Sequence, residues 1–273
     1  MSVAISLLRA SHPEPAAGVT AVAVLLSIGL DRPVGGVVAA GATVLTSQLA
    51  IGWVNDALDA GRDAAAGRSD KPVAAGKVSR RLVAVLGAVA AAVCLPLGFL
   101  SGVPAGLVSA LALASALLYD WPLKATVASV VPYAVSFACL PAFVVLGAGK
   151  TPPPWLLAAG GLLGAGAHFV NTLPDLDADA RTGIRGLPQR FGRRGSLVAA
   201  AVLLLAATAA LAFGPPGPPP VLFWPALGAA ILALSWGWYR MSRDTTSRAP
   251  FLAVIAVALI DVVFLLVSGL NLD

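Results

Sequence analysis

Two matched sets of acids carry the chemistry open to this chain. Asn55, Asp59 and Asp63 recur 116 positions later as Asn171, Asp175 and Asp179, and Gly67, Pro72 and Gly76 recur at the same offset as Gly183, Pro188 and Gly192. On a helix, positions four apart drift by only about 40° per step, so each triplet would line one face over two turns. Asp56 stands beside the first stripe, while Asp177 falls on a different side of the second. Carboxylates stacked this way repel one another unless a cation lies between them. Mg2+ suits such a donor set, because it is hard, takes oxygen ligands and keeps places for water and phosphate oxygens. The two histidines, His12 and His168, are isolated, so no His/Cys cluster favours zinc or iron. Asp59, Asp63, Asp175 and Asp179 are the candidate catalytic acids and metal ligands, joined as ligands by Asn55 and Asp56. Asp70 and Asp177 read as solvated caps.

Basic residues supply the complementary half. Arg62, Arg68, Lys71, Arg181 and Arg185 interleave with the acids, and Lys124 lies between the motifs in a loop with no other base. A metal held by carboxylates and flanked by Lys and Arg describes a diphosphate site, in which cations hold the oxygens that the metal leaves free. The candidate diphosphate contacts are Asn55, Arg62, Lys71, Lys124, Asn171 and Arg185.

The elements that must position these groups are membrane helices. Of the 273 residues 58% are hydrophobic, against 18 Lys+Arg and 13 Asp+Glu, which excludes an ordinary soluble domain. Nine apolar runs are long enough to cross a bilayer: 15–31, 34–55, 81–100, 103–119, 126–148, 154–174, 196–213, 219–239 and 250–269. They lack the two-residue alternation of barrel strands, so the fold class is all-α and polytopic. Gly and Ala within the runs fit close helix packing in lipid. Cys94 and Cys139 fall inside spans and are expected to be reduced and buried. Arg9, His12 and Glu14 precede the first span, which argues against a signal peptide.

All of the 18 basic residues except Arg32 and Lys150 fall on one side of this topology. The positive-inside rule then puts the N-terminus and both acidic motifs in the cytoplasm, in a protein integral to the cell membrane. Topology thus accounts for the net charge of +5, and no nucleic-acid partner is expected. The equivalent motifs sit four spans apart in the same orientation. That implies one membrane domain (1–273) of two parallel four-helix repeats, 15–125 and 126–239, and a closing helix at 250–269, with both motifs meeting at one mouth.

Asn55-Asp56-x2-Asp59-x3-Asp63 and Asn171-x3-Asp175-x3-Asp179 resemble the motifs of the UbiA superfamily of intramembrane prenyltransferases. Lys71-Pro72-Val73-Ala74-Ala75-Gly76, Tyr119 followed by Leu123-Lys124, and Gly183-Ile184-Arg185-Gly186-Leu187-Pro188 are similar as well. The resemblance implies nine helices around a central cavity with two Mg2+ ions at its cytoplasmic mouth. It further implies transfer of an isoprenyl group from an isoprenyl diphosphate to a hydrophobic acceptor, aromatic or lipid-like, within the lipid membrane. By the family's roles Asn55, Asp59 and Asp63 serve one Mg2+–diphosphate assembly, Asp175 and Asp179 the other, and Lys124 contacts the diphosphate. Thr172-Leu173-Pro174 stands where quinone and chlorophyll branches carry a more polar stretch, and Lys71-Pro72 replaces the more frequent Arg-Pro, so no branch is assigned.

Two other readings use the same residues. A terpene cyclase of this fold would ionise the same diphosphate without an acceptor. A transporter would use parallel repeats around intramembrane acids, but here the acids cluster at one mouth, Asp261 apart. Asp261 within the last run and His168 three residues before the second motif are candidates for a role beyond packing. Ser11-His12-Pro13 could cover the site. Trp53 and Tyr119 fall at helix ends, where aromatic belts form, and Tyr133 and Phe137 either line the prenyl tunnel or pack.

Overall fold

The computed structural model describes residues 2–245 and 247–269, and every regular element among them is helical. In chain order these are α1 (Val3–Ala10), α2 (Pro13–Gly29), α3 (Val34–Ala65), α4 (Arg80–Phe99), α5 (Val103–Asp120), α6 (Val130–Gly147), α7 (Pro154–Asn171), α8 (Leu176–Thr182), α9 (Leu187–Phe213), α10 (Phe223–Arg243) and α11 (Ala249–Val267). A long helix stands at each of the nine expected runs. Seven of them (α3 to α7, α9 and α11) are long and apolar enough to cross a membrane. The other two, α2 and α10, stand at expected spans but do not reach that length and hydropathy together. α2 has 17 residues, and α10 ends on Tyr239, Arg240, Ser242 and Arg243.

Two boundaries moved because hydropathy marks the apolar stretch and not the end of the helix. No proline occurs between Pro33 and Pro72, so α3 runs on through Ala65 and carries the first motif with it. At 32 residues it is about 48 Å long against a hydrocarbon core of about 30 Å, so its last turns stand clear of the apolar layer. α9 likewise starts at Leu187, ahead of the apolar stretch, and kinks at Gly192.

The second motif departs from the expected continuous stripe. α7 ends at Asn171, a one-turn 3-10 helix spans Leu173–Asp175, and α8 begins at Leu176. Pro174 causes the break, since it lacks an N–H and disfavours α-conformation in the residue before it. The two copies match in backbone where it matters most. Gly67 and Gly183 have φ of +73° and +79°, and Gly76 and Gly192 have +68° and +65°, values that side chains rarely tolerate.

Successive helices pack side by side, and α11 returns to α2, α7 and α9. Close approach rests on glycines. Gly160 and Gly164, one turn apart on α7, face α6, and a Cβ on Gly164 would lie 2.5 Å from the Phe137 Cβ and 2.6 Å from the Tyr133 carbonyl oxygen. That contact sets the distance between Asn171 at the end of α7 and Tyr133 on α6, which share a 2.8 Å hydrogen bond. Gly164→Ala is expected to destabilise the protein by about 1–3 kcal/mol through overpacking. Gly61→Ala, with nothing within 4 Å of the added atom, should be neutral or slightly stabilising. Thermal unfolding of both variants in detergent checks the contrast.

Candidate active site

The two motifs meet at the rim of one cavity with about 250 Å3 of room, walled mainly by α3, α5, α6 and α7. Asn55, Asp59 and Asp63 line it from α3, while Asn171, Asp175 and Asp179 line it from the broken second segment. The proline break therefore re-aims the second triplet without removing it from the site. Asn171, Asp175 and Asp179 reach the cavity from the end of α7, a 3-10 turn and α8 in succession. Tyr119, Tyr133 and Phe137 form the inner wall.

The carboxylates do not stand free. Asp59 accepts from Lys124 Nζ and, at 2.7 Å, from Arg62 Nη2. Lys71 Nζ donates to Asp56 at 2.7 Å and lies 3.9 Å from Asp63. Arg68 donates to Asp175 and forms a two-pronged pair with Asp70 at 2.9 Å for each bond. Gln189 donates to Asp179 at 2.8 Å. Arg68 thus ties the loop after the first motif directly to the second motif.

Burial and charge set the protonation tendencies of the groups outside the spans. Burial draws the Lys71 ammonium down, but the Asp56, Asp63 and Asp175 carboxylates together outweigh it and the net shift is upward. The Arg68 pair holds Asp70 below its ordinary value. Burial pushes Asp179 up.

Six placements were not legible in the motifs. Asp56 is only 2% exposed and does not line the cavity; its Oδ1 is shared by Lys71 and by His12 Nε2 at 3.0 Å. It anchors Lys71 and the chain before α2. Arg185 is exposed, lies off the cavity wall, and gives its carbonyl to Arg190. Asp120, the last residue of α5, does line the cavity and accepts from Asn55 Nδ2 at 2.9 Å, turning the Asn55 amide oxygen the other way. An acid closing an apolar run four residues before Lys124 was the available signal for it. Trp53 makes no aromatic belt; its indole N–H donates to the Leu7 carbonyl at 3.0 Å and pins α1. Tyr119 turns inward to the cavity, and His168 is fully buried against it, bonded to Ser129 Oγ at 3.0 Å.

Among the described residues no three His, Cys, Asp or Glu side chains converge closely enough to make a ready metal site. The donor chemistry nevertheless fits a hard divalent cation. All the acids at the rim are oxygen donors, and Asp120 Oδ2, on the cavity wall, is buried without a partner.

The sequence profile of the UbiA prenyltransferase family matches residues 16–264. The chain belongs to this family. Solved structures agree on the fold. A ligand-free UbiA homologue from Aeropyrum pernix K1 is 20% identical, with a TM-score of 0.73 over 93% of this chain and 98% of that one. A UbiA homologue from Archaeoglobus fulgidus bound to GPP and Mg2+ is 16% identical, with a TM-score of 0.73 over 98% and 99%. A digeranylgeranylglyceryl phosphate synthase structure is 17% identical, with a TM-score of 0.65 over 98% of each chain. No curated protein matches the sequence. Outside the two motifs, Asp120 lines the cavity and Arg68 reaches it through Asp175.

Removing one partner of a buried ion pair leaves the other charge stranded, whereas an exposed pair contributes little. Asp56→Ala should destabilise the protein by about 3–5 kcal/mol. Asp70→Ala, whose side chain is 65% exposed, should cost no more than about 1 kcal/mol. Melting curves in detergent that show equal losses would contradict this ranking.

Proposed function

We propose that this UbiA-family protein transfers an isoprenyl group from an isoprenyl diphosphate to a hydrophobic acceptor inside the membrane. The observation that carries the reading is the convergence of both Asp-rich segments, with Lys71 and Lys124, on one cavity whose inner wall is aromatic and aliphatic. The A. fulgidus homologue was solved with GPP and Mg2+, which supports the same substrate class here.

Asn55, Asp59 and Asp63 would hold one Mg2+ and Asp175 and Asp179 a second. Bound there, Mg2+ offsets the charge of the diphosphate oxygens as a Lewis acid. The protein's own part begins with exchange of ion pairs. Lys124 and Arg62, paired with Asp59, and Lys71, held by Asp56, stand at the rim where they would meet diphosphate oxygens. Their charges then stabilise the leaving group as its bond to the prenyl C1 breaks. Asp120 orients Asn55, and Asp56 keeps Lys71 in place. Tyr119, Tyr133 and Phe137 exclude water from the allylic carbon while the acceptor attacks it. The two motif copies with their matched glycines support a reading of two repeats, and the basic residues around the mouth support a cytoplasmic side for it by the positive-inside rule.

The test is diphosphate release by purified protein in detergent, with Mg2+ or EDTA, from a panel of prenyl diphosphates with and without membrane extract. Release should require Mg2+ and an acceptor in the extract. Asp59→Asn and Asp175→Asn should each lower it at least about 100-fold with folding intact. A cyclised product from diphosphate alone would make the protein a cyclase, and a fully active double variant would sink the metal assignment.

A further inference from the structure

A second cavity, with about 130 Å3 of room, lies between α2, α6, α7, α9 and α11. It abuts the first: Pro15, Val19, Phe137, Ala167 and Phe251 border both. Its wall is hydrocarbon throughout except at one residue, Asp261 of α11. Asp261 is 2% exposed. Its Oδ1 accepts from Thr208 Oγ1 of α9 at 2.8 Å, and its Oδ2 has no hydrogen-bond partner. No Lys, Arg or His among the described residues pairs with it, and the mechanism above makes no use of it.

A carboxyl group is an expensive way to fill space between apolar helices, because an unpartnered oxygen there is a net loss to the fold. A leucine would pack the site without that loss. The hydrocarbon chain of an isoprenyl diphosphate offers nothing to satisfy Asp261 either, since its polar end belongs at the rim. We propose that this chamber is a subsite for an apolar molecule bearing one hydroxyl, whose O–H donates to the free oxygen of Asp261, held in place by Thr208. Deepening the function proposed above, the occupant is the acceptor substrate: a hydrophobic molecule with a single hydroxyl remote from the rim. Such pockets take orientation from one or a few polar groups in an otherwise apolar lining.

The test needs neither turnover nor Mg2+. Purified protein is photolabelled with octanol carrying a diazirine at carbon 3, and in parallel with octane carrying the same diazirine. Labelled positions are mapped by mass spectrometry to chamber residues such as Leu156, Ile255 and Leu259. The alcohol should label the chamber roughly tenfold more than the alkane, the discrimination that one good hydrogen bond supplies. Asp261→Leu should erase the preference, and Asp261→Asn, which can still hydrogen-bond, should keep most of it. If Asp261→Leu does not fold, Asp261→Ala carries the same comparison. Equal labelling by both probes, or an unchanged preference in the apolar variants, overturns the proposal. Because the readout is binding alone, a protein that labels as expected yet releases no diphosphate would refute the prenyltransferase mechanism and leave the subsite standing. Normal diphosphate release without the alcohol preference would do the reverse.

Discussion

Five aspartates, Asp59, Asp63, Asp120, Asp175 and Asp179, share the wall of one cavity in a bundle built for an apolar surrounding. Like charges gathered in a low-dielectric site are unstable unless each is answered. The arrangement of the mouth follows from that constraint. Lys124 comes from the loop after α5, Arg62 from within α3, and Lys71 and Arg68 from the loop that follows α3. Each arrives where an acid needs it, and Arg68 links segments 107 residues apart. The mouth is therefore closed by ion pairs that are strong enough to organise it and can be exchanged for ligands. Cations freed from carboxylates are the same groups that a diphosphate requires. The function proposed for the site and the cohesion of the site draw on one set of charges.

Packing makes this electrostatic arrangement possible. Gly160 and Gly164 let α7 settle on α6, so that Asn171 meets Tyr133 at the cavity wall. Gly52 does the same for the N-terminal segment. A Cβ there would lie 2.6 Å from the Ser11 carbonyl oxygen, so only glycine lets the chain pass close enough for His12 to reach Asp56. Small residues in lipid-facing helices thus set where polar ones meet. α1, fixed by Trp53, and the His12 contact bring Ser11 and His12 to the cavity wall.

The sequence was most informative where one local rule governed the outcome. The first motif lies on an uninterrupted helix, so spacing alone predicted a stripe, and Asn55, Asp59 and Asp63 all reach the cavity. The second motif obeyed a competing rule, the break at Pro174, yet its donors still converge because the turn redirects them. Helix positions followed hydropathy, but α3 and α9 overran their apolar stretches, since polar residues such as Asp59 and Arg62 continue a helix that no proline stops. What stayed hidden was tertiary. Nothing within the first loop says that Arg68 will choose Asp175, or that Asp56 will be withdrawn from the cavity to hold Lys71. Asp120 was overlooked because it is a single acid without a repeat, although its position before Lys124 was suggestive.

We propose that the acids at the rim bind a divalent cation and thereby release Lys and Arg to hold a diphosphate. Equilibrium binding of geranyl diphosphate to the purified protein, titrated with Mg2+ and again with EDTA, tests it most directly. Saturable binding is expected with Mg2+, and it should disappear in EDTA and in the Asp59→Asn, Asp175→Asn double variant. Binding of equal strength in EDTA would mean that Lys and Arg hold the diphosphate unaided, and would contradict the account.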